Sequence, residues 1–225
     1  EEWSIFGIAR DITERKEADQ RMLKMAHYDT LTGLPNRNLF FTTLQMGLTQ
    51  AALSGWQLAV VTVDLDDFRN VNETWGHLLG DQMLTELSQR LTHCLNVSDT
   101  LGRMDGDEFA LILMIREGQA DPLHTVERIR EALRVPFQLA DHATAMTASI
   151  GIALYPDDGD DAHRLIKHAN TAMNRAKKIG RDTYRFYTAQ MNADASARQE
   201  LETALREAVE QQAFELFYQP KISLA

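Results

Sequence analysis

The run Arg103-Met104-Asp105-Gly106-Asp107-Glu108-Phe109 sets two adjacent carboxylates beside a glycine, just before an apolar strand expected over 109–115. Carboxylates raised on a hairpin tip are placed to share divalent cations, and glycine lets the backbone approach a phosphate closely. Alone, the heptapeptide reads equally as a hairpin whose Asp-Gly step supplies positive φ. A second cluster sides with the chemistry. The apolar run 58–63 ends in Asp64-Leu65-Asp66-Asp67-Phe68-Arg69, followed by Asn72, Glu73, Gly76, His77, Gly80 and Asp81. A strand that ends in acid and turns directly into free amides offers carboxylate to a cation and N–H groups to an anion.

Together these segments resemble the GGDEF family of diguanylate cyclases, whose pattern is D-x-D-x-F-K-x-x-N-D-x-x-G-H-x-x-G-D on a strand and helix, then R-x-G-G-D/E-E-F on a hairpin. Two further stretches are similar to the family's in the same order. Asp29-Thr30-Leu31-Thr32-Gly33-Leu34-Pro35-Asn36-Arg37 looks like the opening D-x-L-T-G-L-P-N-R, and the stretch from Ala172 to Asp182, with Ala176-Lys177 and Gly180-Arg181, looks like A-x-Y-x-A-K-x-x-G-R-N. The resemblance covers about residues 25–188.

The resemblance implies joining two GTP molecules into cyclic di-GMP, with Mg²⁺ (or Mn²⁺) acidifying a 3′-hydroxyl and neutralising the leaving pyrophosphate. Asp64, the Leu65 carbonyl, Asp107 and Glu108 would hold the metals, and Asp107 would assist deprotonation. The amides of Asp67, Phe68 and Arg69, with Gly106, Lys177 and Arg181, would meet the phosphates. Asn72 and Asp81 would read guanine, with Gly76 and Gly80 keeping space around the base. Each has a plainer reading alone: a strand-end acid for Asp64, a helix cap for Asn72, a solvated helix end for Lys177 and Arg181. A homodimer is implied because each protomer presents one nucleotide.

Departures from the family pattern are as informative. Asp105 stands where its first motif glycine is expected, adding bulk and negative charge beside a triphosphate. Arg69 replaces the usual Lys, keeping charge but changing reach and geometry. Glu73, Asn170 and Asn174 are peripheral changes. The product-inhibition pattern R-x-x-D aligns with Asn96-Val97-Ser98-Asp99, so its arginine is gone. The alternative function is a catalytically weak GTP-binding module that regulates a downstream cyclic di-GMP phosphodiesterase.

The elements that must position these groups follow from periodicity. Helices are expected over 36–53, 78–96, 122–133 and 162–179, and strands over 57–64, near 101, 108–115, 146–154 and 183–187. Met83, Leu84, Leu87, Leu91 and Leu95 give the second helix one apolar face. This β-α-β-β-α-β order predicts an α/β (α+β) ferredoxin-like core, the palm-type cyclase fold, with a mixed sheet flanked by helices. There is no P-loop and no G-x-G-x-x-G, so nucleotide binding must use another arrangement.

At the chain's edges, 1–12 is similar to the end of a PAS sensor domain and 13–27 reads as a signalling helix that is either a solvated linker or part of a dimeric coiled coil. The GGDEF-like domain takes 28–188, a linker helix 189–213, and 214–225 resembles the first strand of an EAL phosphodiesterase domain, without that domain's metal ligands. PAS and EAL domains are therefore the expected partners in cis.

The 225 residues carry a formal charge of −10, against a nucleic-acid or anionic-membrane surface, while 44% hydrophobic content is ample for a core. No apolar run is long enough for a membrane segment, and the start lacks a signal peptide. The single cysteine, Cys94, reads as a core residue, and with no zinc-ligand spacing among the histidines a reducing cytoplasm is expected.

Overall fold

The computed structural model describes residues 22, 24–116, 121–140, 142–192, 204–205, 207–209 and 213. The chain divides into two compact units, Glu1–Tyr187 and Thr188–Ala225. In the second, residues 189–192, 204–205 and 207–209 are helical. The PAS-like stretch 1–12, most of the 13–27 helix and the EAL-like strand 214–225 lie outside the described residues.

The first unit is built on strand β1 (Gln57–Leu65). After Gln57 every β1 residue is buried, because helices cover both faces of the sheet at this strand, and that explains a continuous apolar run where alternation would otherwise be expected. Strand β3 (Glu108–Ile115) and strand β6 (Ala148–Tyr155) flank β1, both antiparallel to it. Strand β2 (Thr100–Asp105) continues outward from β3, and β7 (Thr183–Phe186) lies parallel to β6, for an order of β2-β3-β1-β6-β7. The first four are an antiparallel ferredoxin-like sheet, and β7 makes it mixed, as expected.

Helices α1 (Arg37–Ser54) and α5 (Ala162–Lys178) pack on the sheet face that carries Leu58, Val60, Ala110 and Ile112. Helices α2 (Phe68–Trp75), α3 (His77–His93) and α4 (Pro122–Arg134) pack on the opposite face, against Ala59, Val61, Val63 and Phe109. Cys94 belongs to this second core. The cap residues place the helix starts: Asn36 accepts from the amides of Asn38 and Leu39, Asp121 from Leu123 and Asp161 from Arg164.

Three features depart from the expected order. Helix α2 is an eight-residue helix not anticipated, since Asp67 enters it in the left-handed region (φ 58°) without a side-chain cap and its start carries no sequence signal. Helix α3 ends at His93, three residues early, where the Cys94 amide closes onto the Leu91 and Thr92 carbonyls. Strands β4 (Phe137–Leu139) and β5 (His142–Thr144) form an unanticipated small hairpin, each too short to show a period. Arg90 ties this hairpin to α3 by donating to the Ala132, Val135 and Pro136 carbonyls while lying over the Phe137 ring.

Candidate active site at the carboxyl end of the central strand

Alternation along β1 turns Asp64 to the same face as Leu58 and Val60, towards α5. Its side chain is 8% exposed, and Lys177 Nζ on α5 lies 2.6 Å from its Oδ2. Across the sheet, Asp64 is in register with Glu108, the first residue of β3. Burial pushes the Asp64 carboxyl up to about 6; Lys177 opposes this, and the negative charges of Asp107 and Glu108 push it further up. Asp64 and the hairpin acids Asp107 and Glu108, 43 and 44 residues further along the chain, thus act on one another electrostatically.

The hairpin tip that carries Asp107 and Glu108 is held from behind. Between β2 and β3 the register shifts between Arg103 and Asp105, and Gly106 turns the chain with φ 47°, a region that favours glycine. Arg103 donates from Nε and Nη2 to the Gly106 carbonyl at 2.9 and 2.7 Å, and from Nη1 to Asp29 Oδ1 at 2.9 Å. Its own amide donates to the Pro35 carbonyl. The opening motif and the hairpin motif therefore meet through one guanidinium, a contact the sequence reading does not contain. Burial raises the Asp29 carboxyl, yet the Thr32 and Arg103 hydrogen bonds bring it below the usual value.

The phosphate candidates stand on two turns. Phe68 opens α2 and Asp67 precedes it, so the amides of Asp67, Phe68 and Arg69 sit at a helix start with no side-chain cap. Leu65 is buried on the far face of the sheet from Asp64. From the other turn, Arg181 (φ 60°) brings Nη2 to 3.5 Å from Asp67 Oδ1. Arg69 is not gathered in: its Nε pairs with Glu73 at 2.7 Å on the exposed side of α2.

Asn72 on α2 lies against the start of α3, where a Cβ added at Gly80 would fall 2.0 Å from Asn72 Oδ1. Gly80 therefore makes room for the Asn72 side chain itself, and Asp81, the next residue of α3, is exposed beside it. Gly76 instead serves the α2–α3 junction through its φ of 82°.

Asn96 and Asp99 lie at the far end of the β2–β3 hairpin from its tip. Asp99 Oδ2 accepts the Asn96 amide at 2.9 Å and Oδ1 the Met114 amide at 3.4 Å, so this carboxylate holds a turn.

Among the described residues no three acidic, histidine or cysteine side chains stand close enough to hold a metal ion. The donor chemistry nevertheless fits a hard divalent cation: Asp64, Asp107 and Glu108 supply carboxylate oxygen, and the Lys177 ammonium already occupies the cationic place beside Asp64.

One acid was missed by sequence reasoning. Asp66, 6% exposed, accepts from Thr147 Oγ1 (2.7 Å), Ser149 Oγ (2.7 Å) and the Asp182 amide (3.0 Å). The available signal was the pair Thr147 and Ser149, hydroxyls bracketing the start of an otherwise apolar strand.

The family model described as "Diguanylate cyclase, GGDEF domain" matches residues 26–183. The chain is 39% identical over 210 residues to the bifunctional diguanylate cyclase/cyclic di-GMP phosphodiesterase MucR of Pseudomonas aeruginosa, covering 93% of this chain and 30% of MucR. It is 38% identical over 213 residues to the cyclic di-GMP phosphodiesterase PdeR of Escherichia coli K12, covering 95% of this chain and 32% of PdeR. It thus spans about a third of the length of these curated relatives. Among solved structures, the GGDEF domain of TpbB (YfiN) from Pseudomonas aeruginosa superimposes with a TM-score of 0.73 at 34% identity, covering 76% of this chain and 99% of that one. No helix among the described residues is long and apolar enough to cross a membrane. With its palm-type sheet, its acids at the strand end and hairpin tip, and these relatives, the chain belongs to the GGDEF-domain diguanylate cyclase family and to cyclic di-GMP signalling.

Proposed function

We propose that this chain is a diguanylate cyclase that condenses two GTP into cyclic di-GMP as a homodimer. The observation that carries the reading is the convergence of Asp64, Lys177 and Glu108 at the carboxyl end of the central strand: Lys177 is 2.6 Å from Asp64, and Glu108 is its register partner across the sheet. Carboxylates for a divalent cation and a cation for phosphate stand together.

In this reading Asp64, the Leu65 carbonyl, Asp107 and Glu108 would hold Mg²⁺ or Mn²⁺, which supplies Lewis acidity towards the attacking hydroxyl and the departing phosphate oxygens. The amides of Asp67, Phe68 and Arg69, with Gly106 at the hairpin tip, face the triphosphate. Lys177 and Arg181 neutralise it, each trading its present carboxylate partner for phosphate oxygen. Asn72 and Asp81 read the guanine. Asp107 takes the 3′-hydroxyl proton as the new O–P bond forms at the α-phosphate of the other GTP; the bond to the β-phosphate breaks and pyrophosphate leaves. Two such steps close the ring, which is why two facing protomers are needed.

A second reading is favoured by Asp105 at the hairpin tip and by Arg69 being engaged with Glu73. In it the domain binds GTP, turns over weakly and regulates an EAL phosphodiesterase in cis. The domain plan proposed with either reading places a PAS end at 1–12, a signalling helix at 13–27, the GGDEF domain at 28–188, a linker at 189–213 and an EAL strand from 214, all in the cytoplasm. Incubating purified protein with GTP and Mg²⁺ and resolving products by chromatography separates the two. Cyclic di-GMP at many turnovers supports the first; bound, unconverted GTP supports the second.

A further inference from the structure

The two turns that carry the candidate phosphate groups are joined by a residue to which neither the family motif reading nor the reaction assigns work. Asp66 lies between Asp64 and Asp67, and its buried carboxylate accepts three hydrogen bonds from two other parts of the chain. Thr147 Oγ1 and Ser149 Oγ donate from the start of β6, each at 2.7 Å, and the Asp182 amide donates from the α5–β7 turn at 3.0 Å. The Asp66 amide completes the lock by donating to the Thr147 carbonyl at 2.9 Å. Asp182 is itself anchored, since Arg134 Nη2 donates to its Oδ2 at 2.8 Å and Arg130 Nη2 to its carbonyl at 2.8 Å.

We infer that Asp66 is a positioning residue that fixes the spacing between the β1–α2 turn and the α5–β7 turn, and so presets the triphosphate cradle; this rests on the proposed phosphate site. The reasoning is geometric. Asp182 directly follows Arg181, and Asp66 directly precedes Asp67, so the Asp66–Asp182 hydrogen bond sits one residue from the Arg181–Asp67 pair on both strands of chain. Asp64 and Lys177 bridge the same two elements on the other side. Those two ion pairs must open for phosphate to take their cations, and at that moment the uncharged amide contact to Asp66 is what still holds the turns together. A buried carboxylate receiving three donors is strongly committed to its place, which suits a fixed strut better than a ligand that moves.

The test uses the full chain with Asp66→Ala and Asp66→Asn. Calorimetry with Mg²⁺ reads the affinity for GTP and for GMP, and hydrogen exchange reads the amides of both turns against those of β1 and β3. In Asp66→Ala the preference for GTP over GMP should fall about tenfold, with faster exchange at residues 66–69 and 181–183 together and unchanged protection in β1 and β3. Asp66→Asn should keep most of the preference, because its carbonyl oxygen accepts from Thr147 and the Asp182 amide while its NH₂ donates to Ser149 Oγ. Should the alanine variant fail to fold, Ser149→Ala, which removes a single donor, should move both readings the same way by less. An unchanged nucleotide preference, or exchange that rises through the whole sheet, overturns the inference. Wild-type protein with no preference for GTP over GMP overturns the phosphate site instead, and exchange in the two turns then decides alone whether Asp66 couples them.

Discussion

Lys177 Nζ lies 2.6 Å from Asp64 Oδ2, so a side-chain cation occupies the place where the family reading puts a metal ion. The Asp64 side chain is 8% exposed while Lys177 keeps about a third of its side chain in solvent, so the carboxylate bears the desolvation and the lysine is free to leave.

That asymmetry has a sign in stability. The Asp64 carboxyl stands at about 6 in the folded chain against an ordinary 3.8. The folded state therefore binds this proton more tightly, and its stabilising contribution is complete below 3.8 and lost as pH rises through about 6. Above that, ionised Asp64 costs up to roughly 3 kcal/mol. Asp64→Asn should accordingly be the more stable protein at pH 8 by about 1–3 kcal/mol, with the difference closing towards pH 5. Urea denaturation of both proteins at the two pH values checks it; a variant less stable at pH 8 would mean that the Lys177 pair outweighs the burial.

Catalysis should fail without the hairpin acids while the fold survives. Asp107→Ala or Glu108→Gln is expected to lower cyclic di-GMP formation by about a hundredfold or more, with a melting temperature close to wild type because both side chains stand at the partly exposed tip. Chromatography of the products and a thermal melt test this. Full turnover in Glu108→Gln would take Glu108 out of the site.

The base pocket can be probed at Gly80. An added Cβ would sit 2.0 Å from Asn72 Oδ1 and 3.3 Å from Phe68 Cζ, so alanine there must push the Asn72 side chain aside. Asn72 can swing, and alanine favours a helix by up to about 1 kcal/mol over glycine, so stability should change little. Preference for GTP over ATP should drop by about tenfold as a guanine partner is lost. Calorimetry with both nucleotides decides; an unchanged preference would exclude Asn72 as a reader of the base.

How much of this could be read from residue order differs by element. The sheet was legible because β1 is an apolar run that ends in acid and β3 an apolar run that starts from it, and the three longest helices were legible from their apolar periodicity. Helix α2 was not, since its entry depends on a left-handed Asp67 that no local pattern marks. In the site, the residues sharing a motif were legible as a set, but their engagements were not. That Arg69 turns to Glu73, that Arg103 joins Asp29 to Gly106, and that Asp66 spans to Asp182 all depend on contacts between segments far apart in sequence.

Product inhibition should be weak. Asn96 cannot make the bidentate, charge-assisted contact that arginine gives a phosphate or guanine edge, and Asp99 is already occupied by the Asn96 and Met114 amides. Titrating cyclic di-GMP into the cyclase assay should show inhibition only by competition with GTP. Strong non-competitive inhibition would reveal another site for the product.

The last prediction concerns Asp105, an exposed carboxylate at the end of β2 that is in register with Glu108. A triphosphate drawn to the hairpin would meet this charge, and a like-charge pair at about 4 Å costs roughly 1 kcal/mol in water and 4 at a protein surface. Its exposure favours the lower figure, so Asp105→Gly should raise GTP affinity or turnover by about fivefold to tenfold. Glycine also suits the register shift between Arg103 and Asp105, where the backbone bends, and the Arg103 grip on the Gly106 carbonyl should survive the change. The opposite outcome has its own physical account. Were Asp105 a recruited ligand, or a group holding the metal's water, the glycine variant would lose turnover and need more Mg²⁺ to reach it. Measuring initial rates across a Mg²⁺ titration for both proteins separates the two: higher rate at equal Mg²⁺ demand marks Asp105 as a damaged motif position, and a lower rate with raised demand makes it part of the site.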